Sequence, residues 1–423
     1  MKEDLLHYLW KHKLFFCDAI KTSERDEITI ISVGTHNHYA GPDFFNAKIK
    51  IGSQLWAGNV EIHIKSSDWY VHNHENDSNY DNVILHVVWE HDIDVHNSEN
   101  TAIPTLELKE FVSKDLLQKY QKLFSKSQKW INCEQDISSV DSFIVSNWLE
   151  RLYFERLERK SVLITQRLEK TNFDWEAVLF QLLTRNFGLK VNADSFFEMA
   201  TSIDFSIVRK EWSSQQNLES LFFGQLGIFN KSIDNQYFNK LKKEYNYQSK
   251  KYKLDTVHRD SVQYFRLRPM NFPTIRISQL AGLYSKHQNV FSKLMSLESV
   301  AEVYELFEIT TSEFWETHYT FEKESPKRIK KLTKSFVDLL LINTIIPLKF
   351  IYLKHIGKLD ESVILSLIQQ LKPEKNGIID TFNSLKIKSN NAFESQALLQ
   401  LKNEYCAKQK CLQCAIGNDL LKS

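Results

Sequence analysis

The sequence predicts an α+β protein, with a small mixed α/β domain over residues 1–112 and a large all-helical domain over residues 113–423. Three observations carry that division. Apolar residues recur with period two in short runs before residue 110, and at spacings of three and four beyond it. Charge divides at the same place: residues 1–110 hold 9 Lys+Arg against 18 Asp+Glu, a net of −9, and the other 313 hold 45 against 35, a net of +10. Gly (11) and Pro (7) are scarce in 423 residues. Usual usage is about 7% and 5%, so few turns are available and long helices are expected.

Taken in order, residues 3–13 read as a short amphipathic helix. Glu27–Val33 (EITIISV) is the first strand. Phe44–Ile51 (FFNAKIKI) and Leu55–Lys65 (LWAGNVEIHIK) alternate in polarity, and Gly52-Ser53-Gln54 joins them as a hairpin turn. Asn82–Trp89 (NVILHVVW) reads as a fully buried strand, and Pro104–Leu108 as a short last one. Residues 141–170 carry Phe143, Trp148, Leu149, Leu152, Tyr153 and Leu157 at helical spacing. Further helices are predicted over 175–187, 192–201, 215–226, 236–249, 274–296, 326–347, 360–371 and 393–421.

Composition excludes whole classes. Hydrophobic residues at 42% and charged residues at 25% exclude a disordered or collagen-like chain. The charged start MKEDLLHYLW argues against a signal peptide, and no run of 18 apolar residues is present, so no membrane partner is expected. Five cysteines, an odd number, fit a reducing compartment, and the expectation is a cytoplasmic chain. The overall charge of +1 does not by itself point to a polyanionic partner.

Chemistry concentrates in the hairpin. Gly41-Pro42-Asp43 leads into one strand, and the partner strand carries Glu61-Ile62-His63-Ile64-Lys65. Alternation places Glu61, His63 and Lys65 on one face, and the short turn lets Asp43 lie opposite the Glu61 end. Two carboxylates on adjacent strands make an oxygen-rich site for Mg²⁺ or Mn²⁺. Such an ion polarises a phosphoryl oxygen and activates water, with His63 or Lys65 assisting. His36-Asn-His38 and His72-Asn-His74 lie in loops nearby, and ten of the 14 histidines fall in the first 110 residues. His-x-His pairs suit Zn²⁺, Fe or Mn better than Mg²⁺, so Glu61, His63, His72 and His74 form an alternative ligand set. His86, in an apolar run, reads as a satisfied buried residue.

Cys406-x4-Cys411-x2-Cys414 places three of five cysteines within nine residues. That spacing suits Zn²⁺ or an iron–sulfur cluster, with Cys133 as the candidate fourth ligand. Cys17 reads as a core residue. Lys240–Lys253 (KLKKEYNYQSKKYK), including Lys242, Lys243, Lys250 and Lys251, combines charge with stackable rings, as a nucleic-acid surface does. Arg266, Arg268 and Arg276 in FRLRPMNFPTIR suit anion binding or, as the favoured reading, a contact to the acidic first domain.

The Pro42-Asp43 strand start and Glu61 on the next strand resemble the PD-(D/E)xK nuclease superfamily, in which Pro-Asp opens one strand and acid-x-Lys lies on the next. His63 stands where that family has Lys, and Lys65 lies one pleat further on. The resemblance implies a restriction-endonuclease-like α/β domain whose Asp43 and Glu61 hold the metal. The stretches GPDFFNAKI, WAGNVEIHIKSSDWYVHNH, NVILHVVWEHD, FQLLTRNFGLKVNAD, FRLRPMNFPTIRISQLA and CLQCAIG together resemble domain-of-unknown-function family 2851, a bacterial family. The leading expectation is a Mg²⁺- or Mn²⁺-dependent phosphodiesterase acting on nucleic acid. A non-catalytic nucleic-acid or protein-binding module and a His/carboxylate metal hydrolase of a small substrate are the alternatives.

Overall fold

The structure, a computed structural model, describes residues 2–18, 20–37, 39–125, 129–255 and 262–422; His38 lies outside them. The chain forms two compact units. The first comprises Met1–Trp148, Leu385–Ile387 and Leu401–Ser423; the second comprises Leu149–Ser384 and Lys388–Gln400. The expected boundary at residue 112 therefore moves to 148, and the segment from Leu401 onward leaves the helical unit for the first. The physical reason is burial. Ile416 and Leu421 of that segment are core residues of the first unit, where its last helix packs on the helix at residues 114–123.

The first unit opens with α1 (Glu3–His12), whose first turn carries Glu3 and Asp4 and whose last carries Lys11 and His12. Those charges complement the helix dipole. Leu5, Leu6, Leu9 and Trp10 are buried along its length. The sheet comprises β1 (Ile28–Ser32), β2 (Thr35–His36), β3 (Phe44–Ile51), β4 (Gln54–Lys65), β5 (Val83–Glu90) and β6 (Thr105–Glu107). Its order is β1-β3-β4-β5-β6, with β2 pairing β3. β3 runs antiparallel to both β1 and β4, while β4, β5 and β6 are parallel to one another. The β3–β4 turn places Gly52 at φ +59°, where a side chain would be strained. At Gly58 a Cβ would stand 2.4 Å from the Ile84 side chain, so glycine permits the close approach of β4 to β5.

Two features aim the site. The β3–β4 register shifts between Phe44 and Ala47, with Asn46 at φ +59°, a bulge beside the first residue of β3. The parallel register then sets Glu61 beside His86 and His63 beside Val88. The crossover from β4 to β5 contains the short α2 (Asp68–Val71), which delivers His72 and His74. α3 (Lys114–Leu123) and α4 (Ser142–Lys170) follow, α4 passing into the second unit.

The second unit is helical: α5 (Trp175–Phe187), α6 (Leu189–Ser202), α7 (Phe205–Glu211), α8 (Gln215–Gln225), α9 (Gln236–Tyr252), α10 (Pro273–Lys286), α11 (Val290–Ser296), α12 (Val300–Leu306), α13 (Lys334–Leu340), α14 (Ile346–His355), α15 (Glu361–Gln369), α16 (Gly377–Ser384) and α17 (Ala392–Gln400). The expected helix over 274–296 divides into α10 and α11 because Asn289 is left-handed at φ +55°. The one over 326–347 starts later, at α13, where the Thr333 side chain accepts from the Phe336 N–H. It then runs on through a π-helical segment at Leu341–Ile345 into α14. Residues Lys334–His355 are long and apolar enough to cross a membrane by length and composition, yet most of them are buried within the unit, as in a core helix. The expected helix over 393–421 divides into α17, a π-helical segment at Leu401–Cys406 and α18 (Ala415–Lys422), with a turn of cysteine-bearing chain between.

The Arg276 guanidinium donates to Asn271 Oδ1 at 2.6 Å and Gln279 Oε1 at 2.8 Å and stacks over Phe336, all within the second unit. Cys17 is exposed rather than in the core, since it follows α1 in a loop.

Candidate metal centre

Asp43 and Glu61 meet where β3 begins. The Asp43 N–H donates to Glu61 Oε2 at 3.1 Å, and Asp43 Oδ2 accepts from the Ile62 N–H at 3.0 Å. The same Oδ2 lies 3.1 Å from His7 Nε2 on α1. Glu61 is only 5% exposed. Burial, and then the neighbouring Asp43 charge, push its carboxyl up to about 9. His7 moves upward as well: burial opposes its charge, but the hydrogen bond and the charge of Asp43 outweigh it.

The imidazoles complete the cluster. His63 is 1% exposed; its Nε2 stands 3.0 Å from His72 Nδ1 and 3.5 Å from Glu61 Oε1. His63 Nδ1 lies 2.9 Å from His86 Nε2. His74 Nε2 is 3.4 Å from Glu61 Oε1, and its ring stacks on Tyr80. One nitrogen from each of His63, His72 and His74 falls within 4.8 Å of the others. Burial, then the charge of the neighbouring imidazoles, pushes His63 down to about 3. Burial also lowers His74 and sends His86 well below the ordinary histidine range. These rings are therefore neutral and keep lone pairs for coordination.

The set fits a divalent ion that accepts nitrogen. His74 is buried with neither ring nitrogen hydrogen-bonded, and its approach to Glu61 is longer than a good hydrogen bond. Three imidazoles beside two carboxylates suit Mn²⁺, Zn²⁺ or Fe²⁺; Mg²⁺ prefers an all-oxygen octahedron. His72 is exposed while His63 and His74 are buried, so the cluster opens to solvent on the His72 side. With His63 Nδ1–H donating to His86 Nε2, the Nε2 lone pair of His63 faces the cluster.

Of the residues expected from sequence, Asp43, Glu61 and His63 come together, and so do His72 and His74 of the alternative set. Lys65 does not join them; it is exposed at the end of β4, where its charge bears on Asp92. His7 and the partner of His86 escaped the sequence reading. His7 sits one turn after Glu3 and Asp4, a weak signal. His86 is the buried, hydrogen-bonded residue expected, and what residue order did not show is that its partner is His63, whose ring it holds.

Elsewhere in the first unit Cys133, Cys406, Cys411 and Cys414 line one cavity. In the second unit Lys242, Lys243, Lys250 and Lys251 lie on α9. Lys251 pairs with Glu211 at 3.1 Å, Lys242 lies over the Phe238 ring, and Lys243 and Lys250 are exposed. Arg266 and Arg268 are exposed ahead of α10.

Fold and site together define an α+β protein with a carboxylate–imidazole cluster at the start of a sheet hairpin. The chain belongs to the family described as protein of unknown function DUF2851, whose profile matches residues 3–377. No curated protein and no solved structure matches it.

Proposed function

We propose that the first unit is a metal-dependent phosphodiester hydrolase of the nuclease-like class, with nucleic acid as its substrate. One observation carries the reading. Asp43 opens β3, Glu61 lies on its hairpin partner, and the backbone N–H of Asp43 bonds the Glu61 carboxylate. That is the placement expected from the PD-(D/E)xK resemblance, with His63 replacing Lys. Asp43, Glu61, His63, His72 and His74 are the residues that would hold the ion. When bound, the ion supplies Lewis acidity toward a phosphoryl oxygen and a water of lowered pKa. His7, whose Nε2 lies 3.1 Å from Asp43 Oδ2, would orient that carboxylate toward the ion. His86 orients His63. The lysines of α9 give the chain a cationic, ring-bearing surface suited to a phosphate backbone.

The test is calorimetric titration of chelator-treated full-length protein with Mn²⁺, with and without a nucleic-acid mixture, beside Asp43→Ala and Glu61→Gln. Saturable binding in the wild type, lost in both variants and accompanied by Mn²⁺-dependent cleavage of DNA or RNA, is expected. No binding under either condition, or binding unchanged in Asp43→Ala, overturns the reading. A second reading has one observation in its favour: residues 1–110 carry a net charge of −9, which disfavours a polyanion. It is a hydrolase using the same ion on a small substrate, and it predicts Mn²⁺ binding with no nuclease activity.

A further inference from the structure

Four of the five cysteines of the first unit form a second, separate constellation. Cys133 follows α3, whereas Cys406 ends the π-helical segment and Cys411 and Cys414 lie on the turn before α18; Asn132 and Cys411, in contact, are 279 residues apart. The four side chains line one cavity of about 20 Å³. A volume of that order admits a single small guest. It is far too small for the eight atoms of a cubane iron–sulfur cluster.

A hydrogen-bond donor points at one of the sulfurs: Asn132 Nδ2 donates to Cys411 Sγ at 3.4 Å. A neutral thiol is a weak acceptor, so a carboxamide aimed at sulfur suits a thiolate. Gly417 lets the chain close over the cavity, since a Cβ there would stand 2.2 Å from the Cys411 carbonyl oxygen.

Four cysteines from two distant stretches of chain converge on a space that holds one small guest, and soft thiolates in a set of four select a tetrahedral ion.

We propose that Cys133, Cys406, Cys411 and Cys414 hold one structural zinc ion, which clips the segment 401–423 into the first unit. A clip across so long a loop removes much chain entropy from the unfolded state.

The experiment uses full-length protein purified with zinc present. Metal content is read by plasma mass spectrometry, and a cobalt-exchanged sample is read by absorption. One zinc per chain is expected to persist in His72→Ala/His74→Ala and to fall at least tenfold when Cys411→Ser/Cys414→Ser is added to that variant. The cobalt form should show an intense thiolate-to-metal charge-transfer band that the histidine variant retains. As a control that needs no folded variant, wild-type protein is also titrated with an organomercurial: zinc should leave as the four thiols react. No zinc in the wild type, zinc unchanged in the cysteine variant, zinc retained after all five cysteines have reacted, or iron with acid-labile sulfide would each overturn the proposal.

Discussion

Glu61 in the first unit and Glu219 in the second are both buried carboxylates, and their surroundings are opposite. Glu219 accepts from Ser278 Oγ at 2.5 Å, from Tyr237 OH at 2.6 Å and from the Trp315 indole at 3.3 Å. Its pKa is raised because burial outweighs the opposing hydrogen bonds of these donors. Glu61 has one backbone donor, a second carboxylate beside it and imidazoles held neutral by burial. A buried acid ringed by donors is finished structure. A buried acid facing another acid and lone-pair nitrogens is a cation site.

That contrast sets out what substitutions should do. Glu219→Ala leaves three buried donors without their acceptor and should cost about 3–5 kcal/mol, read by denaturant unfolding. A loss under 1 kcal/mol would break the comparison. Glu61→Gln should do the reverse, leaving metal-free stability unchanged or higher while lowering Mn²⁺ affinity at least roughly 100-fold, since a direct ligand outranks an outer-shell partner. Full Mn²⁺ affinity in that variant would make Glu61 a bystander. His86→Leu should weaken Mn²⁺ by about 10–100-fold, the range for residues that orient a ligand. Equal affinity by calorimetry would remove His86 from its positioning role.

The same acid makes a pH prediction for chelated protein. Its folded pKa, about 9, lies above the unfolded 4.5, so the folded state holds the extra proton between those values. Stability from this group is therefore fully present below 4.5 and lost as pH rises toward 9. Denaturant unfolding of wild type and Glu61→Gln should diverge with rising pH, the variant gaining relative stability. Parallel curves would show that Glu61 ionises as freely as in water. The smallest effects belong to α9. Lys243→Ala with Lys250→Ala should change stability by no more than about 0.5 kcal/mol. If nucleic acid is bound there, each loss should flatten the salt dependence of binding by about 0.9.

Much of the first unit was legible in residue order. The β3–β4 hairpin follows from period-two alternation around a glycine turn, and that period alone places Glu61 and His63 together. The cysteine grouping was legible in its short spacing, with Cys133 the candidate that opens the helical region, and all four line one cavity. What escaped depends on distant register. His86 reaches His63 only through the parallel pairing of β4 with β5. His7 reaches Asp43 only because α1 packs on β4. Glu219 gave no signal: one acid in an apolar helix looks like any other, and its donors come from α9, α10 and residue 315.

The return of residues 401–423 to the first unit has a consequence for biosynthesis. A ribosome makes the sheet early, but the sheet's unit cannot be completed until the helical unit has been translated and residue 421 has left the exit tunnel. The helical unit, contiguous but for a short stretch after residue 384, is free to fold first. Released chains truncated after residue 400 should thus carry a folded later unit and an open earlier one, against the usual order in which the leading part settles first.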